Sequence, residues 1–356
     1  MVTSARSTID FQKTEEEYDE EVEELQYEIA SYPADFTLSV LYHKWREGQL
    51  VIPDFQRNYV WTKTQASRLI ESFLLGLPVP GVFLYKERES QKLLVIDGHQ
   101  RLGTVAYFYR GIFKDDKAFR LQGVSPRWER KTYEELLEPD RLRLDDSVLR
   151  ATIIQQLHPG DHSSIYLIFE RLNTGGTQLN PMEIRKCLYT GPAYQFLETL
   201  NRASDWRALL GKPKSDPRLK DVELVLRVLA MARGWRGYEK PMKRFLTDYM
   251  ETLDGKPGEL LRTEDEEFFL RACKTARQSL GEIPFRVRKR LNLAALDSGL
   301  ATIGRIEDGQ VTGLKQRYDR LVKDPDYSAA VTYNTSDADS VRTRFTKAVS
   351  ILLGES

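Results

Sequence analysis

The stretch Val95-Ile96-Asp97-Gly98-His99-Gln100-Arg101-Leu102 sets a carboxylate, a glycine, an imidazole, an amide and a guanidinium side by side. The apolar run Leu93 to Ile96 is short enough for a buried strand. Gly98 then permits backbone angles that other residues resist. Leu102, Val105, Ala106 and Tyr109 recur at i, i+3, i+4 and i+7, one face of a helix. The order is strand, glycine turn, helix, with His99, Gln100 and Arg101 in the first turn. Free backbone N–H groups and the positive end of the helix dipole meet there, beside an arginine, and together they make an anion site. In phosphoryl chemistry, Asp97 would serve as a Mg2+ ligand or water-orienting base, and Arg101 would neutralise charge. A surface connection carrying a solvated arginine would be spelled the same way.

Two other stretches add groups of the same kind. Phe55-Gln56-Arg57 puts an arginine just ahead of a helix start, in an aromatic frame. A phosphate, or a carboxylate of the fold itself, would satisfy it. Asn173-Thr174-Gly175-Gly176-Thr177 is a Gly-Gly loop with polar donors that could wrap a phosphate or a base, or could be a plain turn. Glu170, just upstream, is a second candidate for the metal-ligand or base role. Phe285-Arg286-Val287-Arg288-Lys289-Arg290 is the clearest basic run. It reads either as a contact for nucleic-acid phosphates or as the solvated face of a helix start.

Several familiar chemistries leave no trace. The four histidines, His43, His99, His158 and His162, are scattered. No His-x-x-x-His pair on one helix, Walker-type phosphate loop or Gly-x-Ser-x-Gly elbow is present. Cys187 and Cys273 stand far apart in helix-like segments, which speaks against a zinc ribbon or disulfide scaffold.

The elements that must position these groups are legible in part. Glu15 to Glu24 hold eight acidic residues, and Tyr18, Val22, Leu25 and Ile29 form a stripe that predicts an acidic amphipathic helix ended by Pro33. Leu38, Leu41, Tyr42 and Trp45 predict a short helix closed by Gly48. Thr62 with Gln65 spells a capping box for a helix that Gly76 stops. Strands are expected at Val82 to Tyr85, near Phe119 to Leu121 and at Val148 to Leu157. A helix is expected near Tyr133 to Leu137 and another capped by Asp161. Asn180, Pro181 and Glu183 open a further helix. After Gly191 strand signals vanish and helical periods dominate, from Val222 to Leu353.

The chain has 356 residues, 41% of them hydrophobic, enough for a sizeable core and two domains. Lys+Arg and Asp+Glu both number 53, so net charge argues neither for nor against nucleic acid. The N-terminus lacks the apolar core of a signal peptide, and no run reaches membrane-spanning length. A cytoplasmic protein with no membrane contact is expected.

Three stretches together resemble one family. Ile52-Pro53-Asp54-Phe55-Gln56-Arg57-Asn58-Tyr59-Val60-Trp61, Val95-Ile96-Asp97-Gly98-His99-Gln100-Arg101-Leu102 and Phe169-Glu170-Arg171-Leu172-Asn173-Thr174-Gly175-Gly176 follow, in order, the motifs of the GmrSD-type N-terminal domain. This bacterial family has a ParB/sulfiredoxin-like fold and a Asp-Gly-Gln-Gln-Arg signature. The resemblance covers roughly residues 34 to 190. It implies an α+β protein: a mixed α/β nucleotide-binding domain over 34–190, an acidic extension with one helix over 1–33 and a helical domain over 191–356. It further implies a nucleotide site at Asp97, Gly98, Gln100 and Arg101, with Gln56 and Arg57 beside it and Asn173, Thr174 and Gly176 closing over it. His99 replaces the usual glutamine and titrates near neutral pH, which puts it among the catalytic candidates. The family's nuclease halves carry a His-led metal motif that this sequence does not show.

The expected function is an NTP-binding, NTP-hydrolysing component of a bacterial phage-defence or modification-dependent restriction system. It would use GTP, ATP or CTP with Mg2+, sense DNA, control a separate nuclease or effector, and is compatible with a homo-oligomer. One alternative is a nucleotide-gated DNA-binding switch without turnover. Another is a DNA endonuclease with an unrecognised metal site. Arg57 and Arg101 locked against carboxylates would count against the nucleotide site.

Overall fold

The computed structural model describes residues 28–52, 59–88, 90–158, 168, 180–189, 191–254, 258–281, 283–287 and 290–354. They fall into two compact units, divided between residues 179 and 180.

The first unit is built on a five-stranded mixed sheet. Its strands are β1 (Glu28–Thr37), β2 (Leu50–Val51), β3 (Val82–Lys86), β4 (Leu93–Asp97) and β5 (Val148–His158). Their order across the sheet is β1-β5-β3-β4-β2. β4 runs antiparallel to β3 and parallel to β2, while β3 runs parallel to β5. The central strands are apolar in sequence because they are covered: Leu84, Val95 and Ile96 are fully buried. Helices α1 (Leu38–Arg46), α2 (Lys63–Leu75), α3 (His99–Arg110) and α4 (Glu138–Asp145) complete the unit. Ile70 and Phe73 of α2 join Leu102 and Val105 of α3 in its core.

Local signals held where capping chemistry was complete. Thr62 and Gln65 form the reciprocal capping box of α2, and Gly76 ends that helix in the left-handed conformation at φ 72°. Three expectations are corrected. Ile29 and Pro33 do not belong to a helix and its stop; both lie in β1, which pairs antiparallel with β5, Pro33 opposite Thr152. β1 is an edge strand, where the missing N–H of proline is tolerated. Residues 1–27 lie outside the described residues, and with them the acidic run. Phe119 to Leu121 is not a strand; only an isolated bridge, Ile112 to Ala118, forms nearby. The helix expected at Tyr133 to Leu137 starts later, as α4, because Pro139 occupies its first turn. The helix capped by Asp161 falls outside the described residues, apart from Ile168, which is buried.

The second unit is helical: α5 (Pro181–Leu188), α6 (Pro192–Asn201), α7 (Ser204–Leu210), α8 (Lys220–Gly234), α9 (Met242–Asp254), α10 (Gly258–Leu280), α11 (Leu293–Ile303), α12 (Leu314–Leu321), α13 (Pro325–Ala330) and α14 (Ala338–Leu353). The expected cap of α5 is present, with Asn180 accepting from the Glu183 N–H. α8 and α11 are buried on nearly every face, as helices apolar all round must be. Between them, buried Asp297 takes hydrogen bonds from two buried arginines, Arg227 at 2.8 Å and Arg344 at 3.0 Å. The expectation of no strands after Gly191 is corrected by a small antiparallel pair, β6 (Arg286–Val287) and β7 (Arg290–Leu291). Buried Phe285 and Leu291 fix this hairpin against the core.

Candidate functional site

β4 delivers Asp97 at its last position, and the chain turns at once into α3. Gly98 makes the turn at φ 97°, ψ 13°, and it stands at the N-cap with no side chain to cap the helix. The turn needs glycine for a second reason: a Cβ there would lie 2.3 Å from Cγ1 of Val82 on β3. The first helical hydrogen bond runs from Leu102 N–H to Gly98 carbonyl at 3.0 Å. The amides of His99, Gln100 and Arg101 therefore precede the helical ladder.

Arg101 lies within this turn but is not a free cation. Its Nη2 donates to Asp97 Oδ2 at 2.9 Å, one helical turn away. The pair is partly solvated, with 19% of the arginine side chain and 37% of the aspartate exposed. Arg101 Nε is buried and has no hydrogen-bond partner among the described residues. The guanidinium thus keeps donors beyond the one that Asp97 engages.

Gln100 turns away from the helix end. Its Oε1 accepts from Val60 N–H and Trp61 N–H, both at 3.2 Å, and its Nε2 lies 2.8 Å from His99 Nε2. Burial holds the His99 imidazole below its ordinary pKa; neighbouring Asp97 pulls it up and Arg101 pushes it down. Tyr59 meets the same helix: its hydroxyl is 2.5 Å from Thr104 Oγ1, which donates to Gln100 carbonyl at 2.7 Å. Burial pushes the Tyr59 phenol up to about 12, so it stays protonated. Lys114 Nζ donates to the carbonyls of Tyr59 at 2.9 Å and Trp61 at 3.0 Å.

The structure therefore brings Asp97, Gly98, His99, Gln100 and Arg101 together at one turn. Gln56, Arg57, Glu170, Asn173, Thr174, Gly176, Arg288 and Lys289 lie outside the described residues. Arg286 and Arg290 belong to the other unit, exposed on the β6–β7 hairpin. Among the described residues no group of three or more His, Cys, Asp or Glu could hold a metal ion. Tyr59, Thr104 and Lys114 were not anticipated. Only Thr104, four positions after Gln100, left a local trace in the sequence.

Residues 38–190 match the model of the GmrSD restriction endonuclease N-terminal domain. This region belongs to that family. The GmrSD N-terminal domain thus runs from α1 to just beyond α5 and contains the whole Asp97–Arg101 turn. An uncharacterized protein of Methanocaldococcus jannaschii is 32% identical over 91 residues, covering 19% of this chain and 16% of that relative. The chain thus spans well under two thirds of the curated relative it matches. No solved structure matches the chain. Among the described residues no helix is long and apolar enough to cross a membrane.

Proposed function

We propose that the chain binds a nucleoside triphosphate at the Gly98 turn and hydrolyses it, as part of a phage-defence or restriction system. The observation that carries this reading is a helix that begins on a left-handed glycine with a guanidinium in its first turn. Amide N–H groups, the helix dipole and Arg101 converge on one small volume suited to an anion. The family's description as a restriction endonuclease N-terminal domain supports the defence setting.

The Asp97–Arg101 pair suits exchange rather than blockade. A partly exposed i, i+4 pair contributes about 1 kcal/mol or less. A phosphate oxygen would compete for the guanidinium and free the Asp97 carboxylate. The freed carboxylate can then orient water beside the terminal phosphate, with His99 next to it. Mg2+ bound to the phosphates would take an oxygen from Asp97 and supply charge neutralisation.

The DNA-sensing part of the reading rests on the exposed arginines of the β6–β7 hairpin, and the effector would be a separate nuclease. Neutralising Arg286, Arg288, Lys289 and Arg290 together should weaken DNA binding and flatten its salt dependence. A wild-type salt slope in that variant would remove the patch from consideration.

A switch without turnover is the second reading, and the engagement of Asp97 by Arg101 favours it, because the carboxylate is not free as a base. Phosphate release from GTP, ATP and CTP, with and without DNA, separates the two. Release stimulated by one nucleotide supports hydrolysis. Calorimetric binding without release supports the switch, and absence of both rejects the site. Metal-dependent plasmid nicking by the chain alone would instead point to an endonuclease.

A further inference from the structure

Gln100 has the wrong partners for a phosphate ligand. Its Oε1 is shared between Val60 N–H and Trp61 N–H, each at 3.2 Å. Backbone amides only donate, so the carbonyl end of the side chain must face them. Turning the amide around would set donor against donor at both contacts. Its NH2 end therefore faces His99, whose Nε2 accepts at 2.8 Å with the ring proton on Nδ1.

The same short segment is held from its other side. Lys114 Nζ bridges the carbonyls of Tyr59 and Trp61, with the ammonium 5.4 Å from the Tyr59 ring centroid. Thr104 spends its proton on the Gln100 carbonyl at 2.7 Å, so the Tyr59 hydroxyl donates to it. Amides, carbonyls and side chain of residues 59–61 are thus all tied to α3 or the loop after it. Arg57 stands two residues before Tyr59, so its Cα is tethered within about 7 Å of the Tyr59 Cα.

We propose that Gln100 and Lys114 are positioning residues that grip Tyr59–Trp61 and thereby hold Gln56 and Arg57 to the signature turn. Gln100 acts through this grip and does not touch the nucleotide. The inference rests on reading the Gly98 turn as a phosphate site only for its consequence on binding; the grip itself stands on the geometry.

Hydrogen exchange of the full chain tests the grip directly. In Gln100→Leu, the amides of Val60 and Trp61 should exchange roughly tenfold faster, with α3 and the helical unit unchanged. Gln100→Glu keeps an acceptor for both amides and should retain wild-type protection there. Lys114→Met should loosen the same peptide. Circular dichroism and melting of each variant establish that it is folded. Unchanged exchange at Val60 and Trp61 in Gln100→Leu overturns the proposal.

Calorimetric titration with GTP, ATP and CTP tests the coupling. Arg57→Ala should weaken binding in the wild-type background and add nothing in the Gln100→Leu background. Additive losses overturn the coupling to Arg57. Failure of the wild-type chain to bind any of the three rejects the phosphate reading, and the exchange result then judges the grip by itself.

Discussion

Arg101 Nη2 and Asp97 Oδ2 meet at 2.9 Å across the first turn of α3, and this contact joins the cation and the carboxylate of the signature turn. The two side chains have separable tasks. Each prediction below isolates one physical cause.

Arg101→Ala should cost little in stability, about 1 kcal/mol or less, because the ion pair is partly solvated. Nucleotide affinity should fall ten- to hundredfold, roughly the worth of hydrogen bonds from a charged donor. Asp97→Asn should retain binding and lose phosphate release. Denaturation and calorimetry on both variants check this; unchanged affinity in Arg101→Ala counts against the site.

Gly98→Ala should destabilise the first unit by about 1–3 kcal/mol, since it adds a strained backbone and an overpacked contact. The new Cβ would meet Val82 Cγ1 at 2.3 Å. Val82→Ala in the same chain should return part of the loss but not all, because φ 97° remains. Denaturant melts of the single and double variants give the comparison.

Burial lowers the His99 pKa in the folded state, against the pull of Asp97. The unfolded chain therefore binds the proton more readily, and stability is highest above the ordinary imidazole value of about 6.5. It should decline as pH falls below that value and level off below the folded pKa. His99→Gln should remove this component. Denaturation midpoints from pH 8 down to pH 5 would show it, and parallel curves for the two proteins would refute it.

In the helical unit, Asp297 is the shared acceptor of two buried guanidinium groups. Asp297→Asn would leave Arg227 and Arg344 without their counter-charge and should cost about 3–5 kcal/mol. Chemical denaturation monitored by tryptophan fluorescence measures it; a loss under about 1 kcal/mol would mean the arginines are satisfied elsewhere.

Elements with complete local chemistry could be read directly from the residues. Thr62 and Gln65, Gly76, Asn180 with Glu183, and Gly98 each specify backbone geometry within a few positions. β1 could not, because it is a partly exposed edge strand with a proline. It is held by pairing with β5, from Glu28–His158 to Thr37–Val148. Its residues also continue the apolar stripe of the acidic run before it, so a helical period overreached. The β6–β7 hairpin hid in a run of charges for a similar reason: the burial of Phe285 and Leu291, not local propensity, decides it. At the site, residue types pointed to the turn correctly. They could not show that Gln100 faces Val60 and Trp61, some 40 positions upstream, because side-chain direction is set by tertiary contact.

The close approach of Val82 to Gly98 leaves the turn no slack. A backbone wedged in this way need not be ordered when an anion arrives, so little conformational entropy is surrendered on binding. The cradle is preorganised by a missing methyl group, and its affinity for an anion is set as much by a neighbouring strand as by the charges that face the ligand.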